Sequence, residues 1–463
     1  MSLRFPQPAQ SGRLNWRDKH HPPPRPHTPA KLLGWSGPES HDPNLLYEGN
    51  NLDAIVDLID RGLGERFQLV YLDPPFCSGR SYKKTIRLHA QGSQKAESMK
   101  LVQYEDTWDE DSYLQFCYER LLAAKALLHP SGSLILHVDE HMSHMLRCVL
   151  DEVFGQSHFV NEIVWHYPDN FQGNVRGLAN NHNLLFWYKK TSKFKSNPVR
   201  VPLEKPKKRD RRIWDKTLKK VVAARDEQGA VIYDIYTDRR ADDVWRIGQS
   251  SVTKTRSHEH TGYPTQKPEK LLSRLIEATT DRGDWVFDGF SGSGTTALVA
   301  QKLGRKWAVC DQNRTAIQTL INRLDRLSEV QHEELPPTAQ AAPVAHFCVK
   351  FNPYKSAGHA LIDVSPRPDG VEVRLAGLTL SNNEQPGGEI SGDWVKTIDS
   401  LRIDCDHRGE IFRPCIIEIP TPRETVSLSR KIEGFHLGKR FAVVVTDVYG
   451  REFTASGAWP TSP

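Results

Sequence analysis

The chain has 463 residues, 38% of them hydrophobic, and a formal net charge of +5. That length exceeds one ordinary core and predicts two or three domains, while no apolar run approaches the ~20 residues of a membrane span. The N-terminus, Met1-Ser2-Leu3-Arg4-Phe5-Pro6, lacks the apolar core of a secretory signal. The seven cysteines form no CxxC pair. A cytoplasmic protein with reduced thiols, no disulfide framework, no metal site and no membrane partner is therefore expected.

Residues 1–43, rich in Pro, His and Arg, read as an extended N-terminal tail, with Leu32, Leu33 and Trp35 as its candidate anchors. Across 44–165, strands alternate with helices. A short strand at 44–48 ends in the turn Gly49-Asn50, and Leu52, Ile55, Val56 and Ile59 recur at helical spacing. Phe67–Leu72 reads as a buried parallel strand. It ends at Asp73-Pro74-Pro75-Phe76, where two prolines force the chain out of the sheet. Residues 77–110 read as an irregular polar loop. A helix over 112–128, a strand over 133–138, a helix over 141–154 and a strand over 159–165 complete this half. The alternation predicts an α/β fold with a wound, mostly parallel sheet.

The pattern breaks over 166–260, read as an insertion with one strand at 181–188. Between Lys189 and Lys220 stand fourteen Lys/Arg against three Asp/Glu, a local excess of eleven, mixed with aromatic residues. That concentration is the footprint of a polyanion-binding surface. Regular pattern returns over 261–332. Pro264-Thr265-Gln266-Lys267-Pro268 leads into a helix over 269–279, the glycine run Asp288–Thr296 into a helix through Leu303, and the strand Lys306–Asp311 into a helix over 314–327. Residues 333–344 form a Pro/Ala/Gln linker. From 345 to 463 the period changes to two, as in Val371–Leu375 and Phe441–Val445, which predicts an all-β, sandwich-like domain.

Glycine lets a backbone turn sharply and a ligand approach closely. The run Asp288-Gly289-Phe290-Ser291-Gly292-Ser293-Gly294-Thr295-Thr296 has no lysine after Gly294, which excludes a triphosphate-gripping loop, and it does not fit GxGxxG. Asp311 ends the next strand, where an acid holds a ribose by its hydroxyls. Together they indicate an adenosine-bearing cofactor without a pyrophosphate. Asp73, on a rigid proline turn beside Phe76, can accept hydrogen bonds from an amine while the ring stacks on the base that carries it. Fixed acceptors of this kind raise the nucleophilicity of a base amine. Each feature also has a plain structural reading: a tight turn for the glycines, a helix cap for each aspartate, and a solvated surface for the basic run.

Asp73-Pro74-Pro75-Phe76 resembles the catalytic DPPY/F motif of amino-DNA methyltransferases. Residues 288–296 resemble their S-adenosylmethionine motif, and Pro264–Pro268 resembles the PTQKP segment that precedes it. The order is that of the permuted β group, which includes modification subunits of restriction systems. The resemblance spans about 44–327 and implies a Rossmann-like methyltransferase sheet with S-adenosyl-L-methionine as cofactor. It also implies a base flipped out of double-stranded DNA. Asp73, Pro74, Pro75 and Phe76 would be catalytic. The glycine run with Phe290, Thr265, Gln266 and Lys267, Asp311 with Gln312, and Asn50 (where relatives carry Asp) would hold the cofactor. Gly289 replaces the proline common after the motif aspartate. The insertion would be the target-recognition region, with Lys205, Lys207, Lys208, Arg209, Arg211 and Arg212 on the phosphates. The Asp-led motif favours adenine N6 over cytosine N4. The alternatives are the cytosine-N4 reaction, RNA or protein amine methylation, and a non-catalytic DNA-binding subunit. A homodimer or a cognate restriction endonuclease are the further partners the resemblance implies. The C-terminal region bears a faint likeness to an immunoglobulin-like module.

Overall fold

A nearly continuous apolar run is buried on both faces only inside a sheet, and all six residues of Phe67–Leu72 are buried. The computed structural model describes residues 14–17, 19, 30–36, 43–87, 98–169, 177–333, 348–350, 357–380, 394–409, 411–420, 425–433 and 437–460. The first part of the chain supplies β1 (Lys31–Ser36), β2 (Asn44–Glu48), α1 (Asn51–Leu58), β3 (Phe67–Leu72), β4 (Ser81–Arg87), β5 (Ser98–Glu105), α2 (Glu110–Leu127), β6 (Leu128–Val138), α3 (Ser143–Phe154), β7 (Phe159–His166) and β8 (His182–Lys189). Next come β9 (Arg200–Asp210), β10 (Arg212–Asp215), β11 (Lys220–Ala223), β12 (Tyr233–Arg240), β13 (Val244–Arg246), α4 (Ser250–Thr253), α5 (Glu269–Thr279), β14 (Trp285–Asp288), α6 (Thr295–Lys302), β15 (Lys306–Asp311) and α7 (Arg314–Glu333). The C-terminal strands are β16 (Cys348–Lys350), β17 (Gly358–Arg367), β18 (Gly370–Leu380), β19 (Ile398–Asp404), β20 (Ile411–Phe412), β21 (Ile416–Glu418), β22 (Ser429–Glu433), β23 (Arg440–Asp447) and β24 (Glu452–Ala458).

The main sheet has eleven strands in the order β13-β7-β8-β6-β3-β14-β15-β2-β1-β16-β20. Its middle five, β6-β3-β14-β15-β2, are parallel throughout. The flanks correct the expectation of a mostly parallel sheet. β8 is wedged between β7 and β6, antiparallel to both, and β1, β16 and β20 extend the other side antiparallel. Parallel pairing requires a long crossover, which helices supply for the middle strands; at the far edge β13 also pairs parallel with β7 after the long excursion between them. Successive strand residues face opposite sides, so the sheet sits between two cores. One joins Tyr47, Phe67 and Leu134 to helices α1, α2 and α3 through Ile55, Leu121 and Leu150. The other joins Leu46, Leu69 and Val309 to α5, α6 and α7 through Leu275, Val299 and Leu320.

Four segments differ from their sequence reading. Within the expected tail, β1 joins the main sheet, Leu33 is buried, and Lys19 forms a buried ion pair with Glu152 at 2.8 Å. The expected loop at 77–110 contains the antiparallel pair β4–β5. Of the expected insertion at 166–260, β8 and β13 belong to the main sheet, and β9 to β12 lie outside it. There β9 pairs solely with β12 and β10 with β11, as a protruding ribbon. The linker beyond Glu333 lies outside the described residues. From 357 onward, seven strands in the order β21-β19-β23-β24-β17-β18-β22 form one continuous sheet with its own core. It is docked on α7: Arg402 meets Asp325 at 3.0 Å with both side chains buried.

The expectation of seven reduced thiols is also corrected. Cys405 and Cys415 are disulfide-bonded, because antiparallel β19 and β21 bring positions ten apart in sequence together, a closure with no short-spacing signature. Among the described residues no helix is long and apolar enough to cross a membrane.

Candidate active site

Strand register places the chemistry. β14 lies between β3 and β15, with Asp288 opposite Tyr71 on one side and Val309 on the other. The chain therefore leaves the sheet at Asp73, Gly289 and Asp311 along one edge, beside Gly49-Asn50 after β2. A cavity of about 610 Å³ opens there. Its walls include Asn50, Asp73, Pro75, Thr265, Gln266, Lys267, Asp288 to Ser293, Thr295, Thr296, Asp311 and Gln312. Residues more than 200 apart in sequence are thus brought into one site.

The glycine loop is held from inside. Asp288 is buried; it accepts from the Phe290 N–H at 2.9 Å and from the Thr296 hydroxyl at 2.5 Å. Burial pushes its carboxyl up to about 7. Asp311 accepts from the Gly292 N–H at 2.8 Å and from the Asn313 N–H at 2.8 Å, and burial pushes it up to about 6. Gly292 and Gly294 have φ of +50° and +78°, a region that favours glycine. Arg323 from α7 reaches the Ser293 carbonyl and the Thr295 hydroxyl, both at 3.0 Å. Asp288 and Thr296 thus brace the loop, and Asp311 combines bracing with a place on the cavity wall. Gln266 is turned inward as well: it accepts from the Thr261 hydroxyl at 2.6 Å and donates to the Glu259 carbonyl at 2.6 Å. Asn50 caps α1, accepting from the Leu52 N–H at 3.0 Å.

The Asp73 loop is clamped equally firmly. Asp106, fully buried, accepts from the N–H groups of Phe76, Cys77 and Ser78 at 3.1, 2.9 and 2.9 Å. Tyr113 Oη donates to the Pro75 carbonyl at 2.6 Å. Asp73 Oδ2 meets Lys267 Nζ at 2.5 Å. Its Oδ1 is buried without a hydrogen-bond partner, 3.4 Å from His137 Nδ1. Burial lowers the His137 imidazole to about 3, against the attraction of Asp73, so the ring is neutral. A second cavity of about 590 Å³ lies beyond this loop, lined by Phe76, Trp165, Tyr167 and Asn183; the turn Tyr263–Lys267 walls both cavities.

Sequence reasoning missed Asp106, Tyr113, His137 and Asn183. Tyr113 and His137 fall at ordinary helix and strand positions, and Asp106 lies within the stretch read as loop. Asp139, Glu140 and His141 bring ligand atoms within 4.8 Å of one another, but His141 Nδ1 and Asp139 Oδ2 are already paired at 2.8 Å. Of the basic residues singled out, Lys205, Lys207, Lys208, Arg209, Arg211 and Arg212 are all exposed on the ribbon. Arg211 and Arg212 are paired with Asp234 and Asp210, each at 2.7 Å.

The residues present fit an adenosine-bearing sulfonium donor. The Ser291 hydroxyl, on the cavity wall, is buried without a hydrogen-bond partner. Asp311 has carboxylate lone pairs beyond the two backbone bonds it accepts, and the left-handed glycines bring backbone to the cavity's edge. A parallel sheet centre with a glycine-turn cavity at one strand end and a clamped carboxylate at the next is the arrangement in which open α/β enzymes bind a cofactor beside a reacting group.

Comparison with known proteins makes this specific. The DNA methylase family model N6_N4_Mtase matches residues 67–322, more than half of the chain, and the protein belongs to that family. S-adenosyl-L-methionine is accordingly its methyl donor. The Type II methyltransferase M.EcaI of Enterobacter cloacae is 26% identical over 333 residues, covering 61% of this chain and 69% of the relative. M.HpaI of Haemophilus parainfluenzae is 26% identical over 277 residues, covering 60% and 72%. Among solved structures, the cytosine-N4-specific PvuII DNA methyltransferase is similar with a TM-score of 0.40 and 18% identity, covering 63% of this chain and 89% of the other. The M1.HpyAVI–SAM complex is similar with a TM-score of 0.37 and 17% identity, covering 60% and 98%.

Proposed function

We propose that the protein methylates the N6 amine of adenine in double-stranded DNA, as the modification enzyme of a restriction–modification pair and a member of the permuted β group. The Asp73 carboxylate carries this reading. One oxygen is fixed by Lys267; the other is buried, on a residue that lines the first cavity, and has no hydrogen bond. A buried acceptor left unpaired is costly, and an N–H of an exocyclic amine satisfies it. Accepting that bond localises the amine's lone pair on nitrogen as positive charge develops there. Phe76 presents a ring to the second cavity, where a base taken out of the duplex stack would lie.

S-adenosylmethionine supplies a methyl group activated by its sulfonium. Ser291, Gly292, Phe290, Asp311, Thr265 and Gln312, all on the wall of the first cavity, would hold it. The protein's own contribution is to orient amine and donor and to keep the reacting atoms in a largely enclosed space. The ribbon's Lys205, Lys207, Lys208 and Arg209 pair with phosphates, and a two-stranded ribbon is of a width the major groove admits. Aspartate rather than serine at the head of the motif favours adenine over cytosine.

Unmethylated genomic DNA incubated with the protein and S-adenosylmethionine, digested to nucleosides and analysed by mass spectrometry, should yield N6-methyladenine. N4-methylcytosine would transfer the reading to cytosine, and no methylated nucleoside would overturn it. Asp73→Ala should slow transfer by about two to three orders of magnitude while cofactor binding persists. Full activity in that variant would falsify the assignment.

A further inference from the structure

A buried line of hydrogen bonds runs from the wall of the second cavity to Tyr71 on β3, beside the catalytic loop. Tyr167 Oη donates to Asn183 Oδ1 at 3.0 Å, and the amide nitrogen faces inward. Asn183 Nδ2 then donates to His137 Nε2 at 3.0 Å. A neutral imidazole that accepts at Nε2 carries its proton on Nδ1. That Nδ1 faces Tyr71 Oη at 2.9 Å and Asp73 Oδ1 at 3.4 Å. The ring has no exposed surface, and its centroid lies 5.6 Å from those of both Phe76 and Trp165. The hydrogen bonds end at Tyr71 Oη, and Asp73 Oδ1, without a hydrogen bond of its own, is the next acceptor from Nδ1.

We infer that His137 is a positioning residue for methyl transfer: its Nδ1–H orients the Asp73 carboxylate and its ring backs Phe76, while Asn183 and Tyr167 set its tautomer from the target cavity. The inference rests on the assignment of Asp73 as the group that accepts from the target amine. Its physical basis is precision. Lys267 holds one oxygen of the carboxylate, and the imidazole edge at Nδ1 lies 3.4 Å from the other, which has no hydrogen bond and stays open to the target amine. Without the Nδ1 donor, Oδ1 is free to turn toward other donors, and a misplacement of about 1 Å is worth roughly 10²-fold in rate. His137 does not line the cofactor cavity, so cofactor binding is not its task.

Two near-isosteric substitutions separate donor from filler. His137→Asn keeps an N–H near the Nδ1 position, while His137→Gln puts its amide near the Nε2 position and leaves no donor toward Asp73. Single-turnover transfer to unmethylated genomic DNA and calorimetric S-adenosylmethionine binding are measured on the full chain. His137→Asn should slow transfer less than about tenfold and His137→Gln about 10²-fold, with cofactor affinity unchanged in both. Wild-type rate in His137→Gln, equal losses in the two variants, or loss of cofactor binding with the rate would overturn the inference. Asp73→Ala run alongside distinguishes the failures: if that variant is active, the underlying assignment fails; if it is inactive while His137→Gln is not, only the role of His137 does.

Discussion

Gly294→Ala tests whether the glycine loop is shaped by α7. Gly294 caps α6 at φ +78°, and a Cβ built there overlaps Leu320 Cδ1 and lies 2.8 Å from both its Cβ and Cγ. Two costs add. A side chain in the left-handed region costs roughly 1–2 kcal/mol. Forcing a methyl against a fully buried leucine costs about 1–3 kcal/mol, since Leu320 is fixed in the core below the sheet. The sum, about 2–5 kcal/mol, must appear as lost stability, lost cofactor affinity or both. If the loop yields rather than α7, about 2 kcal/mol alone weakens binding about 30-fold. Calorimetric titration with S-adenosylmethionine and a thermal melt measure the two parts. Adding Leu320→Ala removes the overlaps with Cδ1 and Cγ but leaves the Cβ contact and the backbone strain, so affinity should recover in part. A single variant with wild-type affinity and melting temperature would refute the reasoning, as would a double variant that binds no better than the single one.

Other predictions reach the remaining parts of the molecule. Replacing Lys205, Lys207, Lys208 and Arg209 with alanine should weaken duplex binding and lower the salt slope by roughly one for each phosphate left without its cation, with cofactor affinity unchanged; an unchanged slope would remove the ribbon from the DNA surface. Arg402→Met withdraws a buried guanidinium from Asp325, Ser400 and Asn322 and should cost about 3–5 kcal/mol in denaturant unfolding; a cost below about 1 kcal/mol would show that this arginine is not what docks the C-terminal sheet. Asp288 has a carboxyl raised above its usual range, so the folded state holds a proton that the unfolded chain releases, and stability falls as pH rises from about 4 to about 7. Asp288→Asn retains an acceptor for the Phe290 N–H and should flatten that part of the melting-temperature profile; an unchanged slope would place the proton elsewhere.

Much of the fold's centre was legible because parallel strands and their helices impose local rules. Apolar runs of four to six residues ending in Asp73, Asp288 and Asp311, each followed by a turn and a helical period, define where a wound sheet opens. Glycines at 292 and 294 need left-handed backbone, and no neighbour has to be known to read that. The tandem prolines after Asp73 stop a strand wherever they stand. The antiparallel flanks were not legible, since β8 and β1 carry no sign of which edge they join; β1 comes from a segment whose composition reads as tail. Nor was the disulfide between Cys405 and Cys415, which depends on the pairing of β19 with β21.

Residue types and short spacings settle the chemistry on offer: a carboxylate on a proline turn, a glycine turn for a cofactor, an acid at the next strand end and a basic segment. Each is complete within a few positions of the chain. Their mutual placement and support come from folding. Register between β3 and β14 brings Asp73 beside Gly289 across more than 200 residues, and Asp106, His137 and Lys267 reach the Asp73 loop from three different elements. Hydrogen bonds between positions 30 to 200 apart leave no periodic trace in a chain, because what selects each residue is a neighbour that only folding supplies.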